Sequence, residues 1–136
     1  MTCELCDNPG SNILWQDDLC RVILVDDDDY PGFCRVILNR HVKEMTDLPL
    51  QERHRVMEAV FATEEAVREV LQPDKINLAS LGNMVPHVHW HVIPRFADDR
   101  HFPNPIWGET KRDKARREVP HDLTPRLRSS LAQRLG

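Results

Sequence analysis

Histidine occupies alternate positions in residues 86–94, which read PHVHWHVIP. Successive side chains of a β-strand point to opposite faces, so this pattern predicts a strand with its histidines on one face. Histidine accounts for only 7 of the 136 residues, which makes a chance cluster on a surface strand a weak explanation. The clustered histidines are His87, His89 and His91, and the intervening apolar residues are Val88, Trp90 and Val92.

Two kinds of chemistry suit such a row of imidazoles. Three neutral imidazoles can bind zinc and leave its fourth position open, as in a metalloenzyme. An imidazole can also attack phosphorus near neutral pH while its neighbours hold the phosphate oxygens. The histidines alone leave both interpretations open.

The residues around the histidines resemble a known family. Residues 87–93 match the signature of the histidine triad (HIT) family of nucleotide hydrolases and transferases, His-x-His-x-His followed by two apolar residues. Residues 77–85, NLASLGNMV, are similar to the family's strand and phosphate loop, which usually ends in Gly-Gln-Ser/Thr-Val. The resemblance extends over residues 3–95 and is to bacterial diadenosine polyphosphate hydrolase-like members. It implies a HIT-like fold and a homodimer.

The resemblance also implies catalytic roles for the three histidines. His89 would attack the α-phosphate of a nucleotide and form a nucleotidyl-histidine intermediate, which water then cleaves. His87 and His91 would stabilise charge on the phosphate oxygens and keep the attacking ring in its reactive tautomer. This chemistry needs no metal.

Nucleotide-binding residues are implied in the same way. Asp26, which ends an apolar segment, would bind the ribose hydroxyls, whereas Asp27 to Asp29 are typical of a solvated turn. Ile23 and Phe33 would line the base pocket. The remaining implied nucleotide-binding residues belong to the segment before the triad: Asn77, Gly82 and Asn83.

Two residues of this phosphate loop depart from the family pattern. Asn83 stands where a longer glutamine is usual, and Met84 stands where many members have a hydroxyl residue. A thioether cannot donate a proton to a leaving group. Cleavage of bonds that need such a donor, as in some phosphoramidates, is therefore less favoured.

The segment Cys3-x-x-Cys6 supplies two thiolates at metal-ligand spacing, which is half of a site. Zinc-bearing members of the superfamily complete it with a histidine after the second core strand and the first triad histidine. Here those residues are His41 and His87, so the resemblance implies a structural zinc on all four. The alternative is a flexible, reduced dithiol at the chain terminus.

Periodicity predicts an α+β fold with a largely antiparallel five-stranded sheet. A long helix is expected from Pro49 until Pro73 breaks the pattern, packed on one face of the sheet. Near the end, Thr124 is expected to cap a short helix with Pro125 in its first turn. Residues 96–108 suggest an ordered loop in which Trp107 could stack on a base. The predicted strands are residues 13–16, 20–25, 33–38, 76–81 and 87–94.

Composition limits the remaining questions. A chain of 136 residues, 40% apolar, supports one core, with residues 1–110 as the triad domain and 111–136 as a basic extension of the same unit. No run approaches the roughly 20 apolar residues of a membrane span, and four cysteines without a signal peptide indicate a cytoplasmic protein.

The charge is distributed unevenly along the chain. The extension carries eight Lys and Arg against three Asp and Glu, a charge of +5. Because the net charge of the chain is −4, residues 1–110 carry −9. Because such tails are commonly just solvated, nucleic-acid binding is not expected.

The sequence therefore predicts a nucleotide hydrolase that cleaves dinucleoside polyphosphates or other adenylyl compounds at the α-phosphate. Its expected ligand is a purine nucleotide or dinucleoside polyphosphate. Two alternatives remain, a three-histidine metal-dependent enzyme and a nucleotide-binding module with little turnover. The second follows from the departures at Asn83 and Met84.

Overall fold

The fold is an α+β arrangement of one sheet and its helices, as predicted. The computed structural model describes residues 3–8, 10, 12–114 and 117–136. The strands among them are β1 (Ile13–Gln16), β2 (Cys20–Leu24), β3 (Cys34–Leu38), β4 (Lys75–Ala79) and β5 (His89–Arg95). The helices are α1 (Glu4–Asp7), α2 (Leu50–Leu71) and α3 (Leu123–Leu135), with a 3₁₀ turn at Met45–Asp47.

The sheet is antiparallel throughout, in the order β1-β2-β3-β5-β4. The histidine-bearing strand β5 is thus an inner strand between β3 and β4. Its register places Ile37 opposite His89 and Arg35 opposite His91, while Ala79 lies opposite His91 on the other side. Because directly opposite residues share a face, β3 and β4 flank the histidines with their own side chains.

One face of the sheet packs against the helices and forms the main core. Val22, Val36 and Val92 alternate onto this face and are at most 1% exposed. Each such side chain contributes roughly 1.5–3 kcal/mol when fully buried. The helix residues of this core recur at helical spacing and include Val56, Ala59, Val60, Ala66 and Val67 of α2 and Leu123, Leu127 and Leu131 of α3. The histidines are left on the opposite face.

The loop of residues 25–33 joins β2 and β3 and packs against the end of α2. Gly32 has a φ of +89°, which favours glycine, and a Cβ there would lie 2.1 Å from Leu71 Cδ1. A larger residue would therefore push the turn away from the helix. Within the same loop the Asp27 carboxylate accepts the N–H of Asp29 at 3.0 Å. Asp29 is half-buried and forms ion pairs with Arg100 and Lys114, so it is not the solvated residue that the sequence suggested.

The predicted boundaries differ from the structure at two places that matter. Strand β5 begins at His89 rather than His87, because the His87 N–H donates to the Val85 carbonyl in a turn at 2.8 Å. The C-terminal helix begins at Leu123, so the prediction that Thr124 caps it was wrong. The helix thus begins two residues earlier than a cap at Thr124 would allow, and Leu123 is buried in the core at 8% exposure.

The long helix ends where its sequence predicted. Gln72 adopts the left-handed conformation with a φ of 50° after Leu71, and Pro73 follows. None of the helices that the structure describes is both long and apolar enough to cross a membrane.

Candidate active site

A groove of about 350 Å³ lies on the face of the sheet that carries the histidines. His89 and His91 form its floor together with Arg35 of β3. The loop of residues 81–85 forms one wall, and Trp107 of the long loop after β5 lines it as well. The N-terminal helix contributes Glu4 and Leu5.

His89 is held in one tautomer by the backbone. Its Nδ1 lies 2.6 Å from the carbonyl oxygen of His87, and a carbonyl can only accept, so Nδ1 carries the proton. The other ring nitrogen, Nε2, is then left with a lone pair. The ring is 8% exposed and stands nearly perpendicular to His91, with centroids 5.0 Å apart. In the neutral ring this arrangement fixes the lone pair on Nε2, which is the tautomer that a nucleophile requires.

His91 is neutral at physiological pH. Burial lowers its pKa to about 4, and the charges of His89 and Arg35 contribute in the same direction. Arg35 Nε lies 3.4 Å from His91 Nδ1, and a guanidinium only donates, so Nδ1 accepts and the proton remains on Nε2. The ring is enclosed by Phe33 and Trp107, at centroid distances of 5.7 and 5.0 Å. His91 therefore offers a neutral N–H donor.

The loop before the triad closes one side of the groove. Gly82 has a φ of +75°, which lets the chain turn sharply there. Ser80 Oγ donates to the His89 carbonyl at 2.7 Å and fixes the start of this loop to β5. Asn83 is exposed, and Met84 is 93% exposed. The amide of Asn83 is thus free to meet a phosphate, whereas Met84 offers no hydroxyl.

His87 does not share the groove with the other two histidines. It is 1% exposed, and its Nε2 donates to the Leu38 carbonyl at 2.6 Å. Its Nδ1 lies 3.4 Å from Cys3 Sγ, 3.5 Å from Cys6 Sγ and 3.2 Å from His41 Nδ1. The three histidines are therefore divided between two clusters that share the His87 backbone.

The structure brings together the four residues implied as zinc ligands. One ligand atom from each of Cys3, Cys6, His41 and His87 lies within 4.8 Å of the others. Zinc bond lengths imply ligand separations of roughly 3.3–3.8 Å in a tetrahedron, close to the 3.2–3.5 Å found for several pairs. The hydrogen bond from His87 Nε2 to Leu38 leaves Nδ1 as the free ligand atom. The donor set thus fits a closed structural zinc site.

Local structure and one buried arginine assemble this cluster. Cys3 and Cys6 are one helical turn apart, and the Cys6 N–H donates to the Cys3 carbonyl at 3.1 Å. Arg21, 5% exposed, donates to the Leu5 carbonyl at 2.8 Å and to Asn39 Oδ1 at 3.2 Å. It fixes the N-terminal helix to the sheet. The sequence reasoning missed Arg21, because only the folded sheet shows what it contacts.

A family model described as the HIT domain matches residues 8–98. The chain belongs to the HIT domain family. HIT proteins bind nucleotides and are generally nucleotide hydrolases or transferases. No curated protein sequence matches the chain.

Solved HIT structures from several bacteria are similar to this chain. A histidine triad protein from Marinobacter aquaeolei VT8 is 28% identical with a TM-score of 0.78, over 98% of this chain and 97% of that one. One from Bradyrhizobium japonicum is 28% identical with a TM-score of 0.70, over 91% and 90%. A HIT family member from Bacillus subtilis is 25% identical with a TM-score of 0.66, over 100% and 99%. These likenesses confirm the HIT fold.

Of the nucleotide-binding residues predicted from the HIT resemblance, some lie at the groove and others lie away from it. Gly82 and Asn83 line the groove, and Phe33 packs beside it at 3% exposure. Ile23 lies opposite Arg35 in the register, on the same face. Asp26 and Asn77 are not among the described lining residues, and the Asn77 amide oxygen instead accepts a bond from Arg95 at 2.7 Å.

Asp26 is exposed and lines a second cavity of about 750 Å³ at the turn after β2. Its other polar lining residues include Asp29, Arg100 and Lys114. The ion pair between Arg100 and Asp29, at 3.3 Å, and that between Lys114 and Asp29, at 3.8 Å, cross this cavity. The ribose-binding role of Asp26 therefore stays a prediction.

Proposed function

We propose that this HIT protein is a nucleotide hydrolase that cleaves dinucleoside polyphosphates or other adenylyl compounds at the α-phosphate. The proposal depends on one observation above all, the hydrogen bond from His89 Nδ1 to the His87 carbonyl at 2.6 Å. This bond gives His89 the tautomer of a nucleophile without a base or a metal.

The proposed reaction has two steps. First, His89 Nε2 attacks the α-phosphorus, and the bond to the bridging oxygen breaks with its electron pair leaving on the departing phosphate. Water then attacks the same phosphorus, the P–N bond breaks, and the electron pair returns to the His89 ring, with the water proton released to solvent. His91, a neutral donor, would stabilise charge on the phosphate oxygens during both steps.

The loop before the triad favours leaving groups that need no protonation. Met84 cannot donate a proton, whereas a departing phosphate is stable as an anion. A phosphoric anhydride therefore suits this site better than an amine leaving group. The three-histidine metalloenzyme is disfavoured, because His87 directs its Nδ1 to the cysteines and not to the groove.

The test is to trap the covalent intermediate. The protein is mixed with an α-³²P-labelled dinucleoside polyphosphate, quenched, and analysed for phosphorus bonded to histidine. A His89→Ala variant should lose the label and at least about 10³-fold in turnover. The exposed His121 lies outside the groove and outside α2, so His121→Ala is the matched control and should keep both. Label retained by His89→Ala at the parent level would remove His89 from this role, and thermal protection by nucleotide without product would indicate a binding module.

We also propose that Cys3, Cys6, His41 and His87 bind a structural zinc ion. Bound there, zinc would join the N-terminal helix to the segment that leads into β5, while catalysis would require no metal. Elemental analysis should find about one zinc per chain. His41→Ala should lower both the zinc content and the melting temperature, whereas the exposed His121→Ala should lower neither. If the parent protein is expressed in zinc-supplemented medium and still contains no zinc after purification, the proposal is contradicted.

A homodimer is the proposed assembly, and two exposed apolar side chains of α2 support it. Leu50 is 61% exposed and Phe61 is 51% exposed, and their spacing of eleven residues puts them on one side of the helix. Sedimentation should give a dimer, and Phe61→Asp should give a monomer. A cytoplasmic location and the absence of nucleic-acid binding stay predictions.

A further inference from the structure

Arg35 carries a positive charge into the groove. It lies on β3 directly opposite His91 and is half-buried. Its guanidinium carbon lies 5.5 Å from the centroid of the Phe33 ring, and its Nε is 3.4 Å from His91 Nδ1. The aromatic ring and the imidazole therefore orient the guanidinium within the site.

No carboxylate in the described part of the chain lies within the 4.0 Å of an ion pair with Arg35. Burial lowers the pKa of its guanidinium, and the carboxylates of Glu4 and Asp27 act on it only from longer range. Arginine nevertheless stays charged at all ordinary pH values. Removing a cation partly from water without a counter-ion costs free energy. The charge of Arg35 is therefore not explained by the packing of the fold.

The hydrogen-bond donors of the Arg35 guanidinium indicate which ligand it can bind. A guanidinium has five N–H donors in a planar fork, of which the His91 contact occupies one. The remaining donors suit the oxygens of a phosphate group. Among the side chains of the described loop 81–85, the Asn83 amide is the donor that faces this groove, because the Met84 thioether cannot donate.

We infer that Arg35 binds the phosphate that leaves, and so selects nucleotides whose leaving group is a phosphate chain over those whose leaving group carries no phosphate. This inference rests on the proposed hydrolase function. A departing phosphate chain carries several anionic oxygens besides the bridging one, and a fixed guanidinium that binds them lowers the energy of the state in which the bond to the α-phosphorus breaks. Arg35 thus supplies, as an anion-binding group, what the loop lacks at Met84.

The first test compares two substrates in the same variants. One is a diadenosine tetraphosphate, and the other is an adenylyl aryl ester, whose phenolate leaving group carries no phosphate. Arg35→Gln should lower kcat/KM for the polyphosphate about 10²-fold and for the ester less than about 3-fold. Arg35→Lys should restore part of the loss, because a point charge replaces the fork. The exposed Arg68→Gln, on α2, is the matched control and should change neither.

The second test does not depend on turnover. Calorimetry with inorganic tripolyphosphate should detect binding to the parent protein and to Arg68→Gln, and at least about 10-fold weaker binding to Arg35→Gln. Equal losses on both substrates, or unchanged tripolyphosphate affinity in Arg35→Gln, would overturn the inference. If the parent protein binds tripolyphosphate through Arg35 but forms no labelled His89, the hydrolase proposal fails while the anion-binding role stands.

Discussion

Two arginines on the same face of the sheet have opposite surroundings. Arg95 of β5 is 2% exposed and is held by Asp99 through two bonds, from Nε at 2.8 Å and from Nη2 at 3.1 Å. Arg35 of β3 is half-buried and has a single contact with the His91 ring among the described hydrogen bonds. A buried cation that is paired with a carboxylate is costly to break, whereas one without a counter-ion in a groove is available to a ligand.

The Arg95 network also supports the reactive region. Asp99 accepts the backbone N–H groups of Phe96, His101 and Phe102, at 2.8–3.1 Å, so the loop after β5 is folded around its carboxylate. This loop carries Trp107, whose ring stands 5.0 Å from that of His91. The rigid network thus positions a wall of the groove in which the unpaired arginine lies.

The largest expected effect comes from breaking the paired arginine. Arg95→Met leaves the Asp99 carboxylate buried without its counter-ion and should lower the free energy of unfolding by about 3–5 kcal/mol. Urea denaturation measures the change, with Arg68→Met as the surface control. A loss below about 1 kcal/mol would show that this network contributes little to stability.

Lowering the pH should distinguish His91 from Asp99, because their contributions to the free energy of unfolding are lost in different pH ranges. His91 has a folded pKa of about 4, below its unfolded value of about 6.5, so stability is full above pH 6.5 and falls as the pH drops toward 4, by as much as about 3 kcal/mol. Burial tends to raise the pKa of Asp99, but the bonds from Arg95 and from backbone N–H groups outweigh it and lower the pKa to about 2. The stability contributed by Asp99 is therefore present above about pH 4 and lost as the pH falls through 2.

Urea denaturation at a series of pH values can show which residue causes the loss of stability in each pH range. His91→Gln should remove part of the slope between pH 6.5 and 4 and leave the slope below pH 4 unchanged. Asp99→Asn should do the reverse. A slope between pH 6.5 and 4 that is the same in the parent protein and in His91→Gln would contradict the assignment to His91.

The smallest effect is expected for the unpaired arginine. Arg35→Met removes a half-buried charge that has no carboxylate partner, so the free energy of unfolding should change by less than about 1 kcal/mol, in either direction. The same urea measurement tests it. A destabilisation as large as that of Arg95→Met would make Arg35 a structural residue and erase the difference between the two arginines.

Several features followed from the sequence because they depend on short-range patterns. Period-two alternation placed β1 at residues 13–16, and Pro73 marked the end of the long helix at Leu71. The spacing of Cys3 and Cys6 is one helical turn, and the HIT resemblance supplied His41 and His87 for the same cluster. The start of α3 was mistaken, because burial of Leu123 outweighs the capping preference of Thr124.

The sequence alone therefore determined the residue types of the site and the family of the chain. Both depend on alternation and helical spacing, which act over a few residues. The division of the histidines, with His87 beside the cysteines and His89 at the groove, was decided only when distant segments packed together. The different states of Arg95 and Arg35 arose in the same way, because strand register and the loop after β5 determine which cation meets a carboxylate.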